Sequence, residues 1–372
     1  MSLPSTSRRE FFKVSGALVV SFSFVSCETE NPEISKELPG SLSTNPNLDA
    51  WLRIQSDGRV RIFTGKAELG QGIKTALLQI AAEELDVRLD QMDIVSADTA
   101  VTPDEGYTAG SMSIQRSGIA IRSAAAEARS ILLEIAASHL GLLSSELNVK
   151  EGLISGVGNG QSVSYGDLIG PKTLHRRVTG TAKPKSPDQY RLVGKSVHRR
   201  DIAQKVFAET TFIQDLKLDG MVHARVLRPP SYGAQLLSVN DTLVSEMPGF
   251  ISLVRDGSFL AVVSRREDQA IAAVDVLRAN CKWTSGIKLP DSTTLAQSLR
   301  QASSDSSVVS TSGSNLSEVA SHSVEADYFK PFIAHASVGP SCALAHYSSS
   351  QMKVWTHAQG VFPLRSALST VL

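Results

Sequence analysis

The tightest constraint on this chain lies between residues 60 and 85. A β-branched and aromatic run, Val60-Arg61-Ile62-Phe63, leads into Glu68-Leu69-Gly70-Gln71-Gly72, after which Ala76, Leu77, Ile80, Ala81 and Leu85 recur at helical spacing. A strand that turns through two glycines into a helix belongs to neither an all-helical nor an all-β fold. The start of such a helix carries free N–H groups that bind anions, and the two glycines allow positive φ and close approach of a ligand. Gln71, between them, offers both a donor and an acceptor. A Gly-x-Gly turn by itself is more often structural than functional. Helical spacing leaves Glu83, Glu84 and Asp86 on the polar side.

Other elements follow from the same logic. Trp51-Leu52-Arg53-Ile54 should pair with Val60–Phe63 across an Asp57-Gly58 turn. A long alanine-rich helical pattern covers Ile119–Leu140 and implies tight packing. The loop before it, Thr108-Ala109-Gly110-Ser111-Met112-Ser113, is rich in hydroxyls and small residues. It suits an acceptor-rich ligand such as a phosphate-bearing pterin, and equally well plain helix capping. Residues 48–178 form a first folded segment, and Thr179 to Gln189 reads as a linker by composition. Beyond it, Phe250–Val254 and Phe259–Val263 read as strands around Asp256-Gly257, and Glu267–Asn280 as a helix. Residues 285–323 are a Ser-rich connection with a short helical pattern at Leu295–Leu299. The last segment, 324–372, ends in an apolar helical pattern with neither cap nor polar tail, so continuation into further structure is expected.

The N-terminus reads as an address. Ser7-Arg8-Arg9-Glu10-Phe11-Phe12-Lys13 precedes an apolar stretch from Val14 to Val25, about twelve residues, which has the build of a twin-arginine signal over residues 1–27 and is too short to span a bilayer. Export to the periplasm of a protein already folded around a cofactor is the expectation, and Phe24-Val25-Ser26-Cys27 weakly resembles a lipoprotein box that would make Cys27 a lipid anchor. Residues 28–47, with Pro32, Pro39 and Pro46, read as a tether. With 37 basic and 37 acidic residues there is no bulk field to attract nucleic acid. Cys27, Cys281 and Cys342 form no CxxC pair, which argues against an iron–sulfur or zinc site; Cys281 and Cys342 read as small core residues rather than a disulfide. His198 and His223 read as structural.

Three blocks carry a specific resemblance. Gly65 to Asp86, centred on Gly70-Gln71-Gly72, is similar to the Gly-Gln-Gly segment of molybdopterin-binding large subunits in the xanthine dehydrogenase/aldehyde oxidase family, and Thr108, Ser111 and Ser113 match that family's Thr-x-x-Ser-x-Ser pattern. Arg191 to Asp201, Phe212 to Asp215, Gly220 to Val226 and Arg228-Pro229-Pro230 resemble its α/β-hammerhead domain, placed at 190–284. Pro331 to Ala336, Gly339 to His346 and Val354 to Gly360 resemble the opening of its next molybdenum-binding domain. Placing the Gly-Gln-Gly block before the hammerhead is the order of the isoquinoline 1-oxidoreductase β-subunit-like branch.

The resemblance implies a multidomain α+β chain in which molybdenum-binding α/β segments flank the hammerhead. It implies a molybdenum–molybdopterin cofactor contacted by Gly70, Gln71, Gly72, Thr108, Ser111, Ser113 and the Met112 backbone, with His357 and Gln359 as pocket-wall candidates. The implied activity is hydroxylation of N-heteroaromatic compounds or oxidation of aldehydes, with electrons passing to a separate small iron–sulfur subunit of the two-iron, two-sulfur type and on to a haem acceptor. Where many relatives carry a glutamate before Pro340 this chain has Gly339, which leaves the substrate class open. The family's catalytic glutamate belongs to a later segment with no counterpart here, so no catalytic residue or metal ligand is assigned and the chain alone is expected to be silent. A second polypeptide would then supply the C-terminal half; the competing expectation is a binding or assembly module without turnover. Replacing Arg8 and Arg9 together by lysine should hold the protein in the cytoplasm on fractionation, and an unchanged periplasmic yield would contradict the export signal.

Overall fold

The computed structural model describes residues 38–158, 160–170, 174–209, 212–311, 321–337 and 339–372. The expected signal segment, Cys27 and the first part of the tether lie outside the described residues. The described residues mix helices and strands, and the chain divides into two compact units. One comprises the chain up to Phe207 together with Ala358–Leu372, and the other is Ala208–His357. No described helix is long and apolar enough to cross a membrane.

In the first unit, β1 (Leu52–Ile54) pairs antiparallel with β2 (Val60–Thr64), with Leu52 opposite Ile62, and the chain turns at Gly58 with φ +79°. From β2 the chain passes through the Gly-Gln-Gly turn into α1 (Ile73–Leu85) and returns as β3 (Met92–Ser96), parallel to β2. A parallel neighbour needs such a crossover, and the helix buries its apolar side in making it. Next comes α2 (Ile119–Leu140), in which Ala120, Ala124, Ala125 and Ala128 are fully buried, so small side chains let α2 lie close to α1. A meander of β4 (Leu147–Lys150), β5 (Leu153–Gly156) and β6 (Ser162–Ser164) follows, then a short helix, α3 (Tyr165–Ile169). The Tyr165 hydroxyl donates to the carbonyl of Leu85 at 2.9 Å, and burial pushes its pKa up. The core centres on Leu48, Trp51, Leu77, Leu85, Ile121 and Leu132.

Two expectations about the edges of this unit are corrected. Residues 38–47 are not a free tether: Leu42 is fully buried in the core, and the Trp51 indole N–H donates to the carbonyl of Asn45 at 2.7 Å. Residues 179–207 are neither a linker nor the start of the next domain. They form a strap along α1 that ends in a short helix, α4 (Ile202–Val206), and the structural division falls after Phe207.

The reason is a pair of carboxylates. Helical spacing puts Glu83 and Glu84 on the polar side of α1, but they are 3% and 1% exposed. Glu83 Oε2 accepts the backbone N–H groups of Arg191, Leu192 and Val193 at 2.8, 2.6 and 2.9 Å. Glu84 accepts the Lys185 N–H at 3.0 Å and pairs with Arg122 of α2 at 3.0 Å. Lys185, itself buried, donates to the Glu83 carbonyl at 2.6 Å and to Asp86 at 2.5 Å. Periodicity could not reveal this, because the partners lie about a hundred residues away.

The second unit has the sheet order β7-β10-β9, formed by β7 (His223–Leu227), β9 (Phe250–Asp256) and β10 (Phe259–Ser264), with β8 (Leu236–Val239) in a separate pair. Between β8 and β9 runs α5 (Thr242–Ser245); after β10 come α6 (Glu267–Ala279) and β11 (Cys281–Trp283), the partner of β8. Leu227, Leu260 and Val262 pack with Val274 and Leu277 of α6 in its core. Cys281 borders that core and Cys342 is half-buried; both are free thiols. A further helix, α7 (Leu295–Gln301), precedes the hairpin of β12 (Ala343–Ser348) and β13 (Gln351–Thr356). The last helix, α8 (Val361–Val371), returns to the first unit, so the expected single segment 324–372 is divided after His357.

Burial alone would raise the Glu83 carboxyl, but the three backbone N–H bonds and Lys185 outweigh it and hold the pKa below its ordinary value of 4.5. The stability this contributes is present above about pH 4.5 and is lost as pH falls through the lowered folded-state value. Glu83→Gln should therefore cost about 1.5–3 kcal/mol in urea unfolding at pH 7 and flatten the acid limb of the stability profile. An unchanged midpoint would mean that the strap is held by something else.

Candidate functional site

The turn between β2 and α1 sits on a buried polar chain. Thr64, at the end of β2, donates its hydroxyl to Glu105 Oε2 at 2.7 Å, and the same oxygen accepts the Gly65 N–H at 2.9 Å. Thr64 has only one hydroxyl hydrogen, so in its 2.8 Å contact with Ser117 the serine must donate. The Thr64 oxygen also accepts the Lys66 N–H at 3.1 Å, which uses its remaining capacity. Lys66 is 1% exposed and donates its ammonium to the carbonyls of Glu105 and Tyr107 at 2.7 and 2.8 Å. Burial lowers the lysine's pKa against the opposing attraction of Glu105. Glu105 Oε1 is buried without a partner among the described residues.

This chain binds the two predicted loops together. Thr108 is buried, and its Oγ1 accepts the Ala67 N–H at 2.8 Å. Gln359 joins from just before α8: its carbonyl accepts the Thr108 N–H at 2.6 Å and its side-chain amide donates to the Thr108 carbonyl at 3.0 Å. Gln359 thus lies against the Thr108 loop. The His357 ring nitrogen lies 3.1 Å from the carbonyl of Cys342, within the second unit.

Gly70 and Gly72 adopt φ +106° and +81°, which residues with a Cβ rarely take, so the turn has the conformation its sequence implied. The expected open anion site at the helix start is corrected. Glu68 Oε1 accepts the N–H groups of Gly70 and Gly72, both at 2.9 Å, and Oε2 accepts that of Lys74 at 3.1 Å. A carboxylate from the turn itself already fills the N-terminus of α1, where the helix dipole favours negative charge. Gln71 is exposed, yet its amide bridges the turn by accepting from the Leu69 N–H and donating to the Ala67 carbonyl at 2.9 Å. One hydrogen of that amide remains for an outside acceptor.

Ser111 and Ser113 differ from Thr108. Neither hydroxyl has a hydrogen-bond partner among the described residues, and Ser111 is exposed with φ +57°, following Gly110 at +63°. Half-buried Met112 accepts the Arg116 N–H at its carbonyl, 2.9 Å away. Ile114–Gly118 then makes a π-turn, the Ile119 N–H reaching back to the Ile114 carbonyl, before α2 begins. The assembled donor set comprises two free hydroxyls, an amide hydrogen and exposed turn backbone, which suits a ligand rich in acceptors. Among the described residues no group of three or more His, Cys, Asp or Glu could hold a metal ion.

Sequence reasoning did not foresee the roles of Lys66, Glu68, Glu105 and the strap residues Arg199 and Asp201. Arg199 donates to the Gly70 carbonyl at 2.6 Å while forking onto Asp201 at 2.9 and 2.6 Å. Bonding to Arg199, opposed by burial and helped by Lys205, holds the Asp201 carboxyl far below the usual range. Only the i, i+2 spacing of Arg199 and Asp201 was visible in the sequence.

Thr108→Val keeps the side-chain shape but leaves the buried Ala67 N–H without an acceptor. Urea unfolding should show a loss of about 1–3 kcal/mol, and Thr108→Ser should recover most of it. Equal losses in both variants would count against the hydroxyl as the link between the loops.

Comparison with known proteins gives the family. Residues 25–211 match the model of the molybdopterin cofactor-binding domain, a span that takes in both loops and ends close to the division after Phe207. One of the subunits of nicotinate dehydrogenase from Pseudomonas putida is 37% identical over 335 residues, covering 87% of this chain and 28% of that protein. A membrane-bound aldehyde dehydrogenase of Gluconacetobacter polyoxogenes, described with pyrroloquinoline-quinone, is 29% identical over 76% of this chain and 38% of its own length. The β subunit of isoquinoline 1-oxidoreductase from Brevundimonas diminuta is 26% identical over 71% of this chain and 39% of its own. The chain therefore spans between 28% and 39% of the length of these relatives. Since the domain model matches just over half of the chain, residues 25–211, the chain belongs to the family of molybdopterin cofactor-binding domains.

Proposed function

We propose that this chain is the molybdenum-cofactor-binding portion of an exported oxidoreductase that hydroxylates N-heteroaromatic compounds or oxidises aldehydes. The observation that carries this reading is the joining of the Gly70-Gln71-Gly72 turn to the Thr108–Ser113 loop, by the bond from the Ala67 N–H to Thr108, inside the matched domain. The substrate class comes from the nicotinate, isoquinoline and aldehyde enzymes among its relatives. Export rests on Arg8, Arg9 and the apolar run behind them. A separate iron–sulfur subunit taking the electrons fits a chain without a cysteine cluster. The second unit is assigned as the α/β-hammerhead on its motif match and on the packing of α6 against its sheet.

In this reading Ser111 and Ser113 donate to the cofactor's phosphate-bearing pterin, Gln71 offers its remaining amide hydrogen, and Thr108 holds the two loops in register. The cofactor supplies two-electron redox chemistry at the metal. What the chain contributes is binding and orientation; Glu68 is fully engaged by backbone N–H groups and is not a proton acceptor. That engagement also favours the second reading, a binding or assembly module without turnover.

The test is metal analysis of the protein purified with its genomic neighbours. Molybdenum and molybdopterin should co-purify in equal amounts. Ser111→Ala with Ser113→Ala should lower both severalfold, since each neutral hydrogen bond is worth about 0.5–1.5 kcal/mol. Pyrroloquinoline-quinone in place of molybdenum would overturn the cofactor, and molybdenum without dye-linked oxidation of nicotinate, isoquinoline or aldehydes would favour the module.

A further inference from the structure

The Gly-Gln-Gly turn poses a physical problem that its own bonds do not solve. Leu69, Gly70 and Gln71 are exposed, and two glycines in a row of five residues cost more ordering entropy than any others would. Glu68 and Gln71 tie the turn to itself and to the start of α1. These bonds set its shape, and the bond from the Ala67 N–H to Thr108 anchors its start, but neither holds the exposed Gly70 end.

The hold on Gly70 comes from the strap. It runs beside α1 in steps toward the helix N-terminus. Glu83 takes the N–H groups of Arg191, Leu192 and Val193, and Gln79 donates to the carbonyls of Leu192 and Lys195. Thr75 Oγ1 accepts the Arg200 N–H at 3.0 Å. The final rung is Arg199, whose Nη1 donates to the Gly70 carbonyl at 2.6 Å and whose Nη2 lies 3.7 Å from Glu68 Oε1. Its stem lies over Gly72, where a Cβ would sit 3.6 Å from Arg199 Cδ. Asp201 holds the other side of the guanidinium through two bonds and is itself held by Lys205 at 2.6 Å. Only a planar fork can bond a carboxylate along one edge and reach a carbonyl with the remaining nitrogen.

We infer that Arg199, aimed by Asp201, is the positioning residue that fixes the Gly-Gln-Gly turn in place for the cofactor. Arg199 acts through the turn and does not itself touch the ligand. The inference rests on the proposed cofactor role of that turn, so its test separates the two.

Amide hydrogen exchange is followed in the full chain without cofactor, and molybdenum and molybdopterin content is measured in the same variants purified with their genomic neighbours. Arg199→Ala should speed exchange at Leu69–Lys74 by about tenfold while leaving Leu77–Leu85 of α1 unchanged, and should lower cofactor content. Arg199→Lys should behave like the alanine variant, because an ammonium cannot satisfy Asp201 and Gly70 together. Asp201→Ala should reproduce the effect, and the double variant should add nothing to it. Unchanged exchange in the turn overturns the inference, as does equal acceleration throughout α1, which would mark general unfolding. Faster exchange confined to the turn with full cofactor content upholds the clamp and overturns the cofactor role on which the proposal rests.

Discussion

Two successive carboxylates inside the first unit carry much of its organisation. Burying a charge without partners is expensive, so Glu83 and Glu84 are tolerable on α1 only because backbone N–H groups, Arg122 and Lys185 surround them. The dependence runs both ways. The strap at 185–201 contributes few buried side chains of its own, and its backbone donors find acceptors in these carboxylates. Helix, strap and the face of α2 that presents Arg122 are thus satisfied together or not at all.

The same economy of hydrogen bonds separates scaffold from site. Around the Gly-Gln-Gly turn the buried polar atoms are almost all used: Thr64 to full capacity, Lys66 on two carbonyls, Thr108 on the neighbouring loop. Glu68, which in isolation resembles a catalytic carboxylate, is consumed in capping α1. The hydroxyls left without a partner among the described residues are those of Ser111, exposed and left-handed at φ +57°, and of half-buried Ser113. A polar group with spare capacity at the surface of an otherwise saturated network is where a ligand gains most, because nothing in the protein has to be broken to receive it.

The clamp at Arg199 joins these two features. It connects the strap, fixed by Glu83, to the turn that the polar chain supports, so a contact at the C-terminal end of α1 bears on a loop at its N-terminal end. Lys205 and Asp201 belong to the same group of ion pairs, at the point where the first unit ends. The division after Phe207 lies close to the end of the domain match at residue 211.

By itself the sequence determined the local elements and the family. The β1–β2 hairpin, α1, α2, the β9–β10 pair and α6 were legible because periodicity and turn residues act over a few positions. The motifs at Gly70–Gly72 and Thr108–Ser113 were legible for the same reason. Tertiary structure alone decided that Glu83 and Glu84 lie inside, that Leu42 belongs to the core, that 179–207 is a strap and that Glu68 occupies the start of α1. It also decided which hydroxyl of the Thr-x-x-Ser-x-Ser pattern is structural and which two are free. Each of these depends on a hydrogen-bond partner tens to a hundred residues away or on a rotamer set by packing, and neither leaves a periodic trace in the chain.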